Sequence, residues 1–361
     1  MKHSPVPLLA ALAFASAEMQ GGEIFVAHNQ IVVIDSAARS PVAEVPLNEV
    51  VNGIAFTPDG ERAFVGTSGG KDPAASRGGL YLLDVAKRKV AKKLLQNPVK
   101  ELRISPDGKR VHLLEWEVRT EERAGKKKPV KEPFQLRTLD VSGEEAKSLA
   151  AVTVGMDLYD LAISPDQKTA YFLDPGHNGL RILDLGSGGF VEVVNLSGGK
   201  KSDGTYFEAA PAKLVLASGG ARAAVLQNGP SRTGVLSIDL DARTRRQVLF
   251  PHGSSLRAGQ FLPDGKRMLA VSLGRLQVLD LEGGQLLQSL PLLETFTSLA
   301  LSQDGTEVYL GAPVALKTEN ARGRGMVEVR DGESFALLTQ ISVPITVKFL
   351  QVAPARKPAE R

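Results

Sequence analysis

The sequence feature that most constrains the fold is an internal repeat. Short runs rich in β-branched and leucine residues end in aspartate seven times, at steps of 49, 56, 44, 55, 41 and 51 residues. Their mean spacing, about 49 residues, is the length of one four-stranded propeller blade. The seven aspartates are Asp35, Asp84, Asp140, Asp184, Asp239, Asp280 and Asp331.

A tight-turn signature precedes most of these strands. It is Pro-Asp-Gly at 58–60, 106–108 and 263–265, with variants at 165–167, 218–220 and 303–305. Proline fixes φ, aspartate bonds nearby amides and glycine accepts positive φ, so each signature predicts a hairpin between alternating strands. One blade is therefore strand a, this turn, strand b, a variable connection, strand c ending in aspartate, a short turn and strand d.

These units predict an all-β chain, a seven-bladed β-propeller over residues 18–352. Six blades are complete, at 50–97, 98–155, 156–200, 206–252, 254–292 and 295–343. The seventh needs both ends of the chain: Glu23 to Leu47 supplies strands b, c and d, and Ile345 to Val352 supplies strand a. Such closure hides strand edges that would otherwise recruit other chains. A ring of six or eight blades is the alternative.

The chain begins with a segment typical of a secretory signal peptide. Residues 1–17 combine Lys2, an apolar stretch from Val6 to Phe14 and Ala15-Ser16-Ala17 before Glu18. We expect cleavage after Ala17, a periplasmic or secreted protein and no transmembrane segment after cleavage. An amphipathic first helix or an uncleaved anchor is the alternative. At the other end, residues 353–361 are predicted to be a disordered tail.

Composition excludes several classes of function. The chain contains no cysteine, so it forms no disulfide, no thiolate metal site and no thioether to haem or quinone. The net charge is +4, but aromatic residues are only 5% of the chain, and a nucleic-acid platform needs basic and aromatic residues interleaved. We therefore expect no nucleic-acid partner.

The repeated strand, Ser-Pro-Asp-Gly turn and Val-Val-Ile-Asp strand resemble the bacterial YVTN-type propeller family over essentially the whole mature chain. The layout is also similar to the β subunit of quinohemoprotein amine dehydrogenases, whose third blade likewise carries an insertion after strand b. That resemblance implies a partner assembly with a haem subunit and a small quinone-bearing subunit. The connection Asn228–Thr233 departs from it, being short where that family has a long fifth-blade loop.

Loop lengths predict a working face. The b-to-c and d-to-a connections share one rim of a propeller, and here they include Ser68–Gly78, Glu115–Glu132, Gly198–Pro211 and Ala312–Gly325. Long loops on a rigid scaffold often carry binding residues, although variable loops also simply tolerate insertion. We expect a protein partner at this insertion-bearing face.

Six residues on that face are candidates for ligand or partner binding. Trp116 and Arg119 lie in the third-blade insertion, where Trp and Arg are typical interface anchors. Tyr206, Glu208, His177 and His252 lie on connections near the channel. The alternatives are that Trp116 folds back onto its own blade and that Tyr206 caps a polar loop.

The sequence predicts neither a catalytic constellation nor a metal site. No nucleophile elbow, phosphate loop or His-Glu-x-x-His occurs. The seven repeated aspartates lie on different blades, so we interpret them as turn-forming residues. A metal shared by His28, His177 and His252 would require three separate blades to converge, and His112 in strand b of the third blade is interpreted as structural.

The expected function is a non-catalytic propeller scaffold, and the resemblance implies the β-type subunit of a periplasmic quinohemoprotein amine dehydrogenase-like redox complex with haem and quinone on its partner subunits. One alternative is a stand-alone lactonase-like hydrolase, which predicts His, Arg and carboxylate side chains converging at the axis. Another is a surface or adhesion repeat protein, which predicts no pocket.

Overall fold

The computed structural model describes residues 22–69, 78–123, 126–143, 145–156, 158–174, 179–196, 210–229, 233–250, 255–313 and 324–356, with only the backbone for 118–123, 126–131 and 210. In these ranges the chain forms thirty strands and no helix. The described part therefore offers no helix capable of spanning a membrane.

Twenty-eight strands form seven four-stranded antiparallel sheets, and two form a hairpin. The first three blades contain β1 (Glu23–Ala27), β2 (Gln30–Asp35) and β3 (Ser40–Pro46); β4 (Val50–Phe56), β5 (Arg62–Ser68), β6 (Gly78–Asp84) and β7 (Lys89–Leu95); and β8 (Val99–Ile104), β9 (Arg110–Glu115), β12 (Phe134–Asp140) and β13 (Lys147–Gly155), with the hairpin β10 (Val118–Arg123) and β11 (Lys126–Lys131) inserted after β9.

The remaining strands continue the same order. They are β14 (Tyr159–Ile163), β15 (Thr169–Asp174), β16 (Gly179–Asp184) and β17 (Phe190–Asn195); β18 (Ala210–Leu216), β19 (Arg222–Asn228), β20 (Gly234–Asp239) and β21 (Arg245–Leu249); β22 (Leu256–Phe261), β23 (Arg267–Ser272), β24 (Arg275–Asp280) and β25 (Gln285–Pro291); β26 (Ser298–Leu301), β27 (Glu307–Pro313), β28 (Gly325–Asp331) and β29 (Leu337–Val343); and β30 (Phe349–Val352).

The predicted closure of the ring is confirmed. Strand β30 pairs antiparallel with β1, with Ile24 opposite Val352 and Ala27 opposite Phe349, so the last strand becomes strand a of blade 1. The seven a strands line the axis, and each contacts its neighbour, including β30 against both β26 and β4. The architecture is the predicted seven-bladed β-propeller.

Two details at the carboxyl end differ from expectation. The closing strand begins at Phe349 rather than at Ile345, although Ile345 and Val347 are buried. Residues 353–356, the first part of the predicted tail, lie against the ring: Ala353 is buried, and Arg356 bonds Glu23 at 2.6 Å. Residues 357–361 and the predicted signal peptide 1–17 lie outside the described residues.

The hydrophobic core is divided among the interfaces between blades. The described residues form seven clusters, one between each pair of neighbouring blades. In β1, for example, Ile24 and Val26 pack toward blade 7, whereas Phe25 and Ala27 pack toward blade 2. Because both faces of strands b and c are covered, these strands are apolar along their length, as fully buried strands are.

The seven repeated aspartates form turns, as predicted. Each accepts a hydrogen bond from the backbone amide two or three residues later, with a shortest distance of 2.7–2.9 Å per turn. Hydrogen bonds within the turns lower the pKa of the carboxyls of Asp84, Asp140, Asp184 and Asp331. A carboxylate held this way stabilises a local turn and lies far from the axis.

Candidate functional site

The antiparallel order assigns every connection to one of two rims. The a-to-b and c-to-d turns form the turn rim, and the b-to-c and d-to-a connections form the loop rim. The third-blade insertion extends the loop rim as the hairpin β10–β11, with Val118 opposite Lys131 and Arg123 opposite Lys126. The long connections within 70–77, 197–209 and 314–323 lie outside the described residues.

Only part of the predicted site falls within the described residues. Tyr206, Glu208, His177 and His252 lie outside them. The backbone of Arg119 pairs opposite Val130 in the inserted hairpin. Trp116 is the one predicted site residue whose side chain the structure describes.

Trp116 lies at the base of the insertion and packs on its own blade. Its ring meets Phe134 edge-on, with centroids 5.7 Å apart and planes at 87°. The side chain is half-buried against the cluster between blades 3 and 4, and its backbone amide donates to the Pro98 carbonyl at 3.3 Å. These contacts fix the tryptophan at the edge of the loop rim.

The inner strands share an irregularity that the sequence interpretation missed. Strand a of blades 2 to 6 carries a β-bulge near its loop-rim end, at equivalent places in β4, β8, β14, β18 and β22. A bulge leaves one residue unpaired and re-aims its side chain. The unpaired residues are Asn52, Lys100, Asp160, Ala212 and Arg257.

These bulges surround a cluster of charges at the loop-rim mouth of the channel. Arg103 joins the two acidic side chains, with Nη1 3.1 Å from Glu101 Oε2 and Nη2 3.1 Å from Asp160 Oδ1. On the next blade, Lys213 Nζ lies 3.4 Å from Asp160 Oδ2. The field of Asp160 raises the pKa of Lys213, with burial opposing it and Glu101 adding to it. The cluster thus links blades 3, 4 and 5.

Asp160 is the buried centre of this cluster. Its side chain is 4% exposed, and its φ of 47° lies in the left-handed region that aspartate tolerates better than most residues. Besides the two cations, its carboxylate accepts the backbone amides of Leu161 at 3.1 Å and Leu214 at 2.7 Å. With four donors, this carboxylate stabilises the bulge and has no lone pair in reserve for a general base.

Lys348 completes the channel mouth from the opposite side. It precedes β30, and its Nζ donates to Asn52 Oδ1 at 3.0 Å, while Asn52 Nδ2 donates to the Val99 carbonyl at 2.8 Å. Desolvation by the channel walls lowers the pKa of Lys348, against the field of Glu101. The field of Glu101 also raises the pKa of Lys213, so this carboxylate acts on cations of blades 1 and 5.

Lys100 covers an aromatic pair beside the mouth. Its Nζ lies 3.9 Å from the ring centre of Tyr159 and 4.7 Å from that of Phe134, and it donates to the Leu158 carbonyl at 2.9 Å. These are cation–π distances. Phe134 therefore connects Lys100 to Trp116, which packs on its other side.

Exposed apolar side chains distinguish the two rims. Outside the strands, the large apolar residues that the described ranges leave exposed are Met156, Leu273 and Leu293, and all three lie on the loop rim. Leu293 is 91% exposed. A bond of 2.9 Å from the Leu292 amide to the Gly274 carbonyl holds Leu273 and Leu293 on adjacent connections of blade 6.

His112 is structural, as its strand position suggested. It is 2% exposed, with Nδ1 3.0 Å from Thr138 Oγ1 and Nε2 2.7 Å from Gln167 Oε1. Burial lowers its pKa. Since an amide oxygen can only accept, Nε2 carries the proton and donates it, and this bond ties blade 3 to the hairpin turn of blade 4.

Comparisons with known proteins place the chain by fold alone. No protein-family model matches it, and no curated protein matches it in sequence. Among solved structures, it is similar to the dihydro-heme d1 dehydrogenase NirN in complex with DHE, at 16% identity and a TM-score of 0.59, covering 92% of this chain and 75% of that one.

Two further solved structures show the same fold. A functionally unknown protein from Desulfotomaculum acetoxidans DSM 771 is 13% identical with a TM-score of 0.65, covering 92% of this chain and 99% of that one. Hydrazine synthase of Kuenenia stuttgartiensis is 15% identical with a TM-score of 0.57, covering 85% of this chain and 90% of that one. Identities this low support the propeller architecture and leave the function to the site itself.

Proposed function

We propose that this chain is an exported, non-catalytic propeller scaffold that presents its loop rim to a protein partner. The observation that carries this proposal is the asymmetry of the two rims. The turn rim is built from short aspartate-capped turns, whereas the loop rim bears the β10–β11 hairpin and the exposed side chains of Met156, Leu273 and Leu293. Export rests on the signal-like segment 1–17.

The exposed leucines of blade 6 are the proposed centre of the contact. Leu273 and Leu293 lie on two connections that a backbone hydrogen bond joins, and exposed apolar groups rimmed by polar residues are typical of protein interfaces. Burying a leucine against a partner contributes about 1.5–3 kcal/mol. Two leucines therefore supply enough free energy for their removal to abolish a moderate complex.

The partner we propose is a periplasmic redox assembly of the quinohemoprotein amine dehydrogenase type. The YVTN-like repeat and the third-blade insertion support this, and two of the similar structures are those of a dihydro-heme d1 dehydrogenase and a hydrazine synthase. Without cysteine this chain holds no thioether-linked haem or quinone, so both groups belong to partner subunits. Its own role is to form one wall of the assembly.

The experiment is a native purification that compares two leucine variants. The full chain, tagged after Arg361, is purified from the periplasm of its own host, and co-eluting proteins are stained for haem and for quinone. We expect a stained partner with the unaltered chain and with Leu287→Glu, and its loss with Leu293→Glu. Leu287 is the matched control because it is 51% exposed on the outer strand β25 of the same blade.

The outcomes separate the two parts of the proposal. A partner that stains for neither group but is lost with Leu293→Glu would support the scaffold role and contradict the redox assignment. Equal recovery with both variants, or no partner at all, would contradict the docking face.

The second candidate is a stand-alone hydrolase, and the observation that favours it is the convergence of Arg103 with the carboxylates of Glu101 and Asp160. The four donors on Asp160 count against a general base there. Turnover of a sugar lactone by the purified chain, lost in Glu101→Gln, would favour this candidate over the scaffold.

A further inference from the structure

We propose that the loop-rim mouth of the axial channel binds a small anion bearing a carboxylate or phosphate group, with Lys348 as its principal contact. This site is distinct from the protein-docking face, because it is built from the inner strands rather than from the blade-6 connections. It stands whether or not the chain has a protein partner.

The first argument is the charge of the channel wall. The seven inner strands and the residue preceding β30 carry five cationic side chains, namely Lys100, Arg103, Lys213, Arg257 and Lys348, against the two carboxylates Glu101 and Asp160. The whole chain has a net charge of only +4. The inner strands together with Lys348 thus carry a local charge of +3, and a local excess of positive charge attracts an anion.

The second argument is how the two carboxylates are already used. Asp160 is saturated by Arg103, Lys213 and two backbone amides. Glu101 is paired with Arg103. Arg103 and Lys213 therefore balance the two carboxylates Glu101 and Asp160, and neither carboxylate needs Lys348 as a counter-ion.

The third argument is the state of Lys348 itself. Its Nζ donates one proton to the amide oxygen of Asn52, and among the described residues no carboxylate lies within ion-pair distance of it. An ammonium has three donors, so two of the protons of Lys348 have no acceptor among the described residues. Lys348 is exposed yet partly desolvated, and this desolvation lowers its pKa. An anion there would replace lost water with a charge-assisted bond.

The fourth argument is that this ammonium is held in position. Asn52 occupies the bulge of β4 and bonds the Val99 carbonyl of the next blade, so the acceptor that orients Lys348 is itself fixed by two blades. Pre-organised donors lose little conformational entropy when a ligand binds. Lys100 and Arg257, at the equivalent bulges of blades 3 and 6, provide further cations around the same mouth.

The test uses the mature full-length chain and isothermal titration calorimetry in low salt, with succinate and inorganic phosphate as separate probes. We expect saturable binding of at least one probe, weakened at least about tenfold in Lys348→Met because a charge-assisted bond is lost, and within about threefold of the unaltered chain in Lys348→Arg because that bond is kept. The two probes distinguish a carboxylate ligand from a phosphate. Uncharged succinamide should not bind.

Two further variants make the test specific to the channel. Glu101→Gln removes the acidic group whose field opposes the anion while keeping an acceptor for Arg103, and it should tighten binding about two- to fivefold. Lys109→Met removes the same charge as Lys348→Met from an exposed position on the turn rim and should leave affinity unchanged.

Each result decides the proposal. No saturable binding of either probe, equal losses in Lys348→Met and Lys109→Met, or weaker binding in Glu101→Gln would overturn it. Thermal melts accompany every variant. If Lys348→Met unfolds, two other measurements still test the proposal. Glu101→Gln should strengthen anion binding, whereas a higher salt concentration should weaken it because salt screens the attraction.

Discussion

Replacing Leu350 by alanine tests whether one short strand closes the ring. Leu350 is 2% exposed in β30 and packs with Ile24 and Val26 of β1 and with Tyr309 in the cluster between blades 7 and 1. Removing a fully buried leucine costs about 2–5 kcal/mol. The free energy of unfolding of a domain is about 5–15 kcal/mol in total, so this single substitution removes a large fraction of it. The matched control is Leu338→Ala in β29, where the side chain is 50% exposed and the change should stay within about 0.5 kcal/mol.

The assay is urea unfolding followed by circular dichroism, with size-exclusion chromatography on the same samples. Leu350→Ala should lower the unfolding midpoint, and because an open ring exposes the edge of β1, it should also form dimers or larger species. Deleting everything after Pro344 should do both more severely. Equal midpoints for Leu350→Ala and Leu338→Ala, or a truncated chain that unfolds like the full one, would refute the assigned closure.

Three further changes probe the interior. Asp160→Asn should lower the free energy of unfolding by about 2 kcal/mol in urea titrations, less than for a fully buried pair because Arg103 and Lys213 are 34% and 41% exposed; an unchanged value would contradict the role of Asp160 in the bulge. Burial lowers the pKa of His112 below 6.5, so its stabilising contribution is complete above pH 6.5 and is lost as the pH falls through the folded-state pKa. In His112→Asn the melting temperature should therefore fall less between pH 6.5 and lower pH than it does in the unaltered chain. The same dependence of melting temperature on pH in both proteins would refute this role of His112. Gln167→Gly has two opposing effects on the free energy of unfolding. It relieves the backbone strain of a φ of 63°, which stabilises the fold by about 0.5–1 kcal/mol, but it removes the acceptor of the His112 hydrogen bond, which costs about 1–3 kcal/mol. Gln167→Gly should therefore lower the melting temperature of the unaltered chain and raise that of His112→Asn. A change in the same direction in both proteins would contradict this reasoning.

The architecture was predictable because blade geometry imposes strict local chemistry. An aspartate at the end of strand c and a Pro-Asp-Gly turn after strand a recur wherever the backbone must reverse within a few residues. The start of β30 was predicted four residues early for a physical reason. Ile345 and Val347 alternate because both are buried in the cluster between blades 7 and 1, where Val347 packs against Gly311 and Gly325, and not because they pair in a ladder. Alternating apolar residues indicate burial, but a β-strand also requires backbone hydrogen bonds to a neighbouring strand.

The channel site was not predicted, because its residues are far apart in the sequence. Lys348 and Asn52 are 296 positions apart, and Arg103 and Asp160 are 57 apart. A weak signal was present nonetheless. Asn52, Lys100 and Arg257 are polar residues near the start of an inner strand, and each lies seven residues before the aspartate of its own Pro-Asp-Gly turn. Each interrupts the two-residue alternation, which is what a bulge does.

Closure of the ring and the proposed anion site are thermodynamically linked. Lys348 reaches Asn52 only when β30 lies beside β1, because the residue that donates to Asn52 immediately precedes the closing strand, and its backbone amide bonds the Ala27 carbonyl at 3.1 Å. A ligand that binds only the closed ring must stabilise it, by about 2.7 kcal/mol at a concentration one hundred times its Kd. The anion that binds best should therefore raise the unfolding midpoint of the unaltered chain and restore most of what Leu350→Ala loses. It should do neither in Lys348→Met. A ligand that binds but leaves the midpoint of Leu350→Ala unchanged would place the site elsewhere on the molecule, because occupancy of the channel mouth cannot be independent of the strand that builds it.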